Sequence, residues 1–177
     1  MPFPRKLLIL IEGPTDKEFF EKIIKPPIER QRELTVSLIT YSEKTNRTVN
    51  KFIQSFLDME CECYLFRDFD QGPCFTQLRE TLNQKFPLLN NENILIIKKE
   101  IESWILAGIS DELIIEVTQI EELKNTEKVS KEDFKALLES SNSTTEIRSK
   151  ILNEFDLKKA VQRNKTLRYI LSRLDIV

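Results

Sequence analysis

The sequence predicts an α/β fold with a mainly parallel, four-stranded sheet, followed by a C-terminal helical extension. Four apolar runs alternate with segments of helical periodicity over roughly the first 108 residues, which is the order that gives parallel strands joined by helices. Beyond Gly108 the periodicity is only helical and the breaks are polar. We therefore predict a core over residues 1–115 and an extension over residues 116–177 that packs on the same domain.

The first strand is predicted at residues 7–11, a continuous apolar run that a Gly-Pro pair ends. A helix is expected to begin at Thr15, because Thr15 and Glu18 have the spacing of a capping box. The two prolines at 26–27 are expected to stop or kink this helix. Hydrophobic periodicity predicts the other core elements in chain order: a strand at 33–41, a helix at 49–57, a strand at 63–68, a helix at 77–86, a strand at 93–99 and a helix from 100.

The extension is predicted to contain short helices near Phe134 and Ile151 and a last, basic helix. From residue 147 onward eight Lys and Arg stand against three Asp and Glu, whereas the rest of the chain is acidic. This pattern indicates a cation site and a polyanion contact on one molecule, and a basic, solvated helix face explains it equally well. The basic residues of the last helix are Arg163, Lys165, Arg168 and Arg173.

The composition excludes several kinds of active site. The chain has no histidine, so chemistry must come from carboxylates, lysines, hydroxyls or a bound ion. With three glycines it lacks the glycine-rich loops of dinucleotide-binding and P-loop proteins, and its three cysteines form no even disulfide framework. Acidic residues interrupt the first apolar run where a signal peptide would continue, and no run is long enough to span a bilayer. We expect a cytoplasmic protein without a membrane segment.

Acidic residues follow three of the four predicted strands. They are Glu12 after the first strand, Asp68 and Asp70 at the end of the third, and Glu100 and Glu102 after the fourth. Because the carboxyl ends of parallel strands meet at one edge of a sheet, we expect these carboxylates to converge there. Crowded carboxylates repel one another, and a divalent ion removes that repulsion. Oxygen-only ligands favour Mg²⁺ or Mn²⁺, bound as one ion or as two ions about 4 Å apart.

Each of these acids also has an ordinary structural explanation. Glu12 can solvate a turn, and residues 68–72 have the composition of an Asp-rich turn. Asp16, Glu100 and Glu102 can be favourable charges in the first turns of helices. Their joint placement at one edge of the sheet is what favours a metal site.

The order of these motifs resembles the Toprim domain, which occurs in topoisomerases, bacterial primases and the OLD family of nucleases. The matching stretches are LLILIEGPTDKEFF and YLFRDFDQG, which have the order strand–Glu-Gly-x-x-Asp–helix and strand–Asp-x-Asp-x-Gly. A third stretch, KKEIESWILAG, resembles the acidic segment of OLD-like and small stand-alone Toprim proteins. The resemblance covers residues 6–108, extends more weakly to the C-terminal helix, and implies a Rossmann-like Toprim core.

The resemblance implies a nuclease that hydrolyses phosphodiester bonds of DNA or RNA with Mg²⁺ or Mn²⁺. By their positions in the motifs, Glu12, Asp68 and Asp70 match the catalytic acids of the family. The four basic residues of the last helix are predicted to contact phosphates. OLD nucleases commonly carry an ATPase domain and this sequence has no P-loop, so the resemblance implies a protein that works alone or with a separately encoded ATPase as partner. The metal ligands that the resemblance implies are Glu12, Asp16, Asp68, Asp70, Glu100 and Glu102.

Two other functions stay open at this point. A non-catalytic Toprim-like module that binds nucleic acid or a partner protein needs the same fold and basic residues but has no turnover. A phosphatase of the haloacid-dehalogenase type has an Asp-x-Asp motif like that of Asp68 and Asp70. That family places the motif after its first strand, whereas here the motif follows the third predicted strand.

Overall fold

A computed structural model describes residues 5–69, 74–118, 123–138 and 144–176 of the chain. Contacts divide the chain into two compact units, Met1–Ile97 and Lys98–Val177. The boundary predicted from the sequence, after residue 115, stays a prediction. No helix of the described ranges is long and apolar enough to cross a membrane.

The first unit is built on a four-stranded sheet in which every described strand pair is parallel. Its strands are β1 (Lys6–Ile11), β2 (Thr35–Thr40), β3 (Glu62–Asp68) and β4 (Ile94–Ile97). They lie in the order β2-β1-β3-β4, so β1 and β3 are central. The predicted α/β class and parallel sheet are confirmed, and the residues that follow β1 and β3 leave from the middle of one edge.

Helices connect the strands and cover the sheet, which explains why the central strands are almost continuously apolar. On one face, α3 (Asn46–Leu57) and α4 (Phe75–Lys85) contribute side chains to the main core of this unit. On the other face, the ring of Phe20 packs edge-on against Phe66 with 4.6 Å between the ring centroids. The strand residues in the main core are Leu8, Leu10, Cys63, Leu65, Ile94 and Ile96.

The helical segment after β1 runs through the two prolines. It consists of α1 (Pro14–Phe19), a π-helical turn (Phe20–Ile24) and α2 (Lys25–Arg32). The backbone N–H of Lys25 donates to the carbonyl of Phe20, five residues back, which widens this turn. The prolines follow at the start of α2, and the segment stays helical through them to Arg32. Of the predicted stop or kink, the stop is absent, and a π-helical turn precedes the prolines.

The second unit is helical throughout its described part. Trp104 on the first helix is fully buried. Gly108, just beyond that helix, is also buried, and a Cβ atom added to it would meet the ring of Phe155 at 2.2 Å. The helices are α5 (Ile101–Ala107), α6 (Asp111–Thr118), α7 (Lys131–Leu138), α8 (Thr144–Asn153), α9 (Leu157–Arg163) and α10 (Lys165–Arg173).

The prediction of a single basic helix at the end of the chain is wrong in one respect. The structure has two helices there, and Asn164 separates them. The Asn164 side chain is buried and caps α10 by accepting the backbone N–H of Leu167 at 2.9 Å. Its amide also donates to the hydroxyl of Thr126 at 3.1 Å. Arg163 consequently belongs to α9, and the other three predicted basic residues belong to α10.

Candidate functional site

Glu12 follows β1 at the middle of the sheet edge and forms an ion pair with Arg67 of β3. The strand register explains the pair. Leu10 lies opposite Leu65, so two residues further along Glu12 comes opposite Arg67 on the same face of the sheet. The two side chains are 29 % and 27 % exposed, so their attraction is less screened by water than that of an open surface pair. The sequence alone does not single out Arg67. β1 and β3 are not consecutive along the chain, and the register between such strands cannot be read from one sequence.

Tyr41 lies beside this ion pair. Its backbone N–H donates to the carbonyl of Ile11 at 2.9 Å, and its buried hydroxyl donates to the carbonyl of Phe66 at 3.2 Å. Burial raises the pKa of Tyr41 far above its usual range, and the Glu12 carboxylate adds to this effect. The phenol therefore stays protonated at neutral pH and serves as a structural donor.

Asp16 stabilises the turn that carries the chain from β1 into α1. Gly13 is the N-cap residue of α1, and its backbone N–H donates to Oδ2 of Asp16 at 2.7 Å. Asp16 is buried, and its negative charge in the first helical turn interacts favourably with the helix dipole. The capping box predicted at Thr15 and Glu18 is wrong, because the helix begins at Pro14 and the position that reaches back to the cap is Asp16.

Asp68 is the last residue of β3 and is half-buried at the same edge as Glu12. It lies opposite Ile97 of β4, and the backbone N–H of Phe69 continues the ladder by donating to the Ile97 carbonyl at 2.8 Å. Side chains alternate along a strand, so Asp68 and Arg67 leave β3 on opposite faces. The ends of β1 and β3 thus carry one carboxylate on each side of the sheet edge.

Asp70, the second acid of the Asp-x-Asp motif, lies in residues 70–73, outside the described part of the chain. The chain enters this segment after Phe69 and leaves it at Cys74, whose thiol caps α4 by accepting the N–H of Gln77 at 3.4 Å. The rings of Phe69 and Phe75 stack with centroids 4.2 Å apart and an angle of 18°. This ring pair holds the two ends of the segment close together.

Glu100 and Glu102 belong to the second unit. Glu100 is the N-cap residue of α5, and its carboxylate accepts the backbone N–H of Lys131. Glu102 lies in the first turn of α5 and is 6 % exposed. Burial raises the pKa of Glu102 and the nearby Glu100 adds to this, while Lys131 and Arg148 act in the opposite direction. Glu102 therefore holds its proton to a higher pH than an exposed glutamate.

The structure brings Glu12 together with Arg67, and Asp16 together with Gly13, at the edge formed by β1 and β3. Within the described ranges, no three Asp, Glu or Cys side chains are placed to hold a metal ion. Asp70 lies outside those ranges. The oxygen-only character of the set suits Mg²⁺ or Mn²⁺, and the assignment of the six acids as ligands stays a prediction.

The four basic residues predicted to bind nucleic acid have different surroundings. The Arg163 side chain is only 10 % exposed, donates to the carbonyls of Ile109 at 2.6 Å and Ala107 at 3.3 Å, and pairs with Asp111. Arg163 therefore ties α9 to the α5–α6 connection. Arg173 is half-buried, whereas Lys165 and Arg168 are exposed on α10. Contact with nucleic acid stays a prediction for all four. Lys165 and Arg168 are the two that are exposed, so a phosphate can reach them.

Comparisons with known proteins were made for sequence and for fold. No protein-family model matches the chain, and no curated protein matches it either. The fold of the C-terminal region of the Burkholderia pseudomallei OLD protein matches with a TM-score of 0.55 at 14 % identity, covering 99 % of this chain and 100 % of that chain. The C-terminal region of the Xanthomonas campestris pv. campestris OLD protein gives 0.44 at 15 % identity, covering 99 % and 95 %.

At these identities the likeness concerns the fold, which the match to the Burkholderia structure supports. The resemblance predicted from the motifs is confirmed at that level. This chain has the Toprim-type fold of the C-terminal region of an OLD protein.

Proposed function

We propose that this protein is a divalent-metal-dependent nuclease that hydrolyses phosphodiester bonds in DNA or RNA. The observation that carries the proposal is that Glu12 and Asp68 stand at the ends of β1 and β3, the two central strands of an all-parallel sheet. Parallel α/β sheets bind their ligands at this edge. The match in fold to the C-terminal region of an OLD protein supports the same assignment.

The residues at this edge have different roles in such a reaction. Glu12, Asp68 and Asp70 are the residues that would hold a divalent ion, which would polarise a phosphate and activate a water. Asp16 keeps the turn after β1 in place through its bond to Gly13. Arg67 balances the charge of Glu12, and its planar guanidinium has a geometry that suits a phosphate.

Binding of the nucleic acid outside the reaction centre is assigned to exposed basic residues. Lys165 and Arg168 of α10 can contact phosphates without reading the sequence of bases. We place the protein in the cytoplasm and propose a separately encoded ATPase as the partner that controls cleavage. One or two Mg²⁺ or Mn²⁺ ions are the cofactors in this proposal.

A second candidate function is a non-catalytic module that binds nucleic acid or a partner protein. Two contacts favour it, since Glu12 is paired with Arg67 and Asp16 caps α1, so both acids have structural partners. The phosphatase alternative has less support, because Asp68 closes β3 and not the first strand.

The test is a cleavage assay on the full chain. Supercoiled plasmid, linear duplex, single-stranded DNA and RNA are each incubated with Mg²⁺, Mn²⁺ or a chelator. We expect metal-dependent cleavage that the double variant Asp68→Ala/Asp70→Ala abolishes, whereas Glu43→Gln, a change of an exposed acid in the same unit, leaves it intact. Binding of nucleic acid by both variants, without cleavage by the wild type under any condition, would instead show that the chain is a binding module or a subunit that cleaves only with its partner.

A further inference from the structure

A pocket of about 310 Å³ opens in the first unit beside the Glu12–Arg67 ion pair. The loop after β2 and the start of α3 form one side of it, and α4 forms another. Its floor is apolar and rigid, since Tyr41 and Phe86 pack edge to face with 5.9 Å between their ring centroids. The lining residues beyond those two aromatics and the ion pair are Ser42, Lys44, Asn46, Leu78, Thr81, Leu82 and Lys85.

The charge of the pocket is predominantly positive. The lining contains three cationic side chains, Lys44, Lys85 and Arg67, and one carboxylate, Glu12. Arg67 is engaged by Glu12, whereas neither lysine has an ion-pair partner among the described residues. Lys44 and Lys85 line the same cavity, so an anion bound between them would be attracted by both charges.

The uncharged polar groups of the pocket complement such an anion. Ser42 and Asn46 carry a hydroxyl and an amide donor that suit phosphate oxygens. The Thr81 hydroxyl donates to the carbonyl of Gln77 at 2.9 Å and can accept a hydrogen bond from a sugar hydroxyl. The apolar floor offers a surface for the carbon atoms of a sugar or a base. A phosphate joined to a sugar therefore fits the chemistry of the lining better than a free inorganic ion does.

We propose that this pocket binds one nucleotide of a single-stranded stretch of nucleic acid, with its phosphate between Lys44 and Lys85. The identity of the ligand as nucleic acid rests on the proposed function. A volume near the lower end of the roughly 300–1,000 Å³ range of ligand pockets has room for one nucleotide but not for a base pair. The nucleotide lies next to Glu12, so the neighbouring phosphate of the same strand reaches the sheet edge.

The test measures binding without cleavage, in a chelator, with fluorescently labelled single-stranded DNA, single-stranded RNA and blunt duplex. The double variant Lys44→Ala/Lys85→Ala is compared with Lys51→Ala/Lys135→Ala, which removes the same charge from exposed positions outside the pocket. We expect the pocket variant to bind single strands about tenfold more weakly than the wild type and the control variant to stay within about twofold. The slope of the logarithm of the binding constant against the logarithm of the salt concentration should become shallower by about one in the pocket variant, which corresponds to one lost phosphate contact.

A competition arm separates the possible sources of the phosphate. A deoxynucleoside monophosphate should displace the labelled strand from the wild type better than inorganic phosphate or the nucleoside does. The proposal is overturned if the pocket variant binds like the control variant. It is equally overturned if duplex binding falls as much as single-strand binding, or if inorganic phosphate competes as well as the nucleotide.

The binding test and the cleavage test fail separately. Loss of single-strand binding in the pocket variant, with no cleavage by the wild type, keeps the pocket and removes a nuclease that acts alone. Metal-dependent cleavage with unchanged binding by the pocket variant keeps the nuclease and removes the pocket. Thermal melting of each variant checks that these lysines have been changed without unfolding the chain.

Discussion

Glu12 and Arg67 form an ion pair across β1 and β3, the two central strands, at the edge where a parallel sheet binds its ligand. A predicted metal ligand thus has a cationic partner. The pair is partly buried, so it holds both side chains at the place where an ion and a phosphate are proposed to meet. Its strength can be measured independently of any activity.

The first prediction concerns that strength. In a double-mutant cycle of Glu12→Gln and Arg67→Met, we expect a coupling free energy of about 1 kcal/mol in the free energy of unfolding. The partial burial of both side chains is the reason for expecting more than an exposed pair gives. Urea unfolding of the wild type, both single variants and the double variant measures it, and strictly additive effects would show that the pair contributes nothing.

The second prediction separates the two possible roles of Asp16. Asp16→Ala removes the acceptor for the Gly13 N–H and should cost about 1 kcal/mol of stability. Asp16→Asn keeps an acceptor oxygen, so its loss of stability should be clearly smaller. If Asp16 is also a metal ligand, Asp16→Asn should lower metal-dependent cleavage at nearly unchanged stability; wild-type cleavage by this variant would leave the cap as its role.

The third prediction is a pH dependence that comes from Glu102. Burial raises the pKa of Glu102 in the folded protein above its value in the unfolded chain, so the folded state binds the proton more tightly. The stabilisation that comes from this proton is fully present below the pKa that Glu102 has in the unfolded chain. It is lost as the pH rises through the pKa that Glu102 has in the folded protein. Glu102→Gln cannot ionise, so the variant should gain stability relative to the wild type as the pH is raised from about 4 to about 7.

Urea midpoints of the wild type and Glu102→Gln across this pH range measure the effect. Glu132→Gln, a change of an exposed acid in the same unit, is the control that should show no such trend. A stability difference that does not change with pH would contradict the pKa shift.

The fourth prediction distinguishes the basic residues near the C-terminus. Arg163→Ala removes two bonds to the carbonyls of Ala107 and Ile109 and should cost roughly 1–3 kcal/mol of stability. Lys165→Ala/Arg168→Ala should leave stability within about 0.5 kcal/mol, because both side chains are exposed, and should weaken binding to DNA and RNA. Equal binding by the wild type and this double variant would remove α10 from the nucleic-acid interface.

Much of this architecture can be predicted from the sequence, because it depends on local patterns. The apolar runs identify β1, β3 and β4 to within a few residues, and their acidic ends follow directly from the chain. Parallel pairing then follows from the alternation of strands and helices. The Glu-Gly-x-x-Asp and Asp-x-Asp-x-Gly order leads to the Toprim-type fold, which the structural comparison confirms.

The remaining features depend on contacts between distant residues or on the phase of a helix. Arg67 meets Glu12 only because of the register of β1 and β3, which no local pattern specifies. The cap at Asp16 differs from the predicted one because the N-cap residue is Gly13, two residues before Thr15. Arg163 looks like a surface charge in the sequence, and only its bonds to the α5–α6 connection reveal its structural role.

The most direct test of the proposed metal site is a titration of the full chain with Mn²⁺, followed by electron paramagnetic resonance, with Mg²⁺ as competitor. We predict saturable binding to the wild type that Mg²⁺ displaces. Glu12→Gln and Asp68→Asn should each weaken it at least tenfold, because each removes a charged ligand. Glu43→Gln should have no effect. Absence of saturable Mn²⁺ binding to the wild type, or equal binding by Glu12→Gln and Asp68→Asn, would contradict a metal site at the ends of β1 and β3.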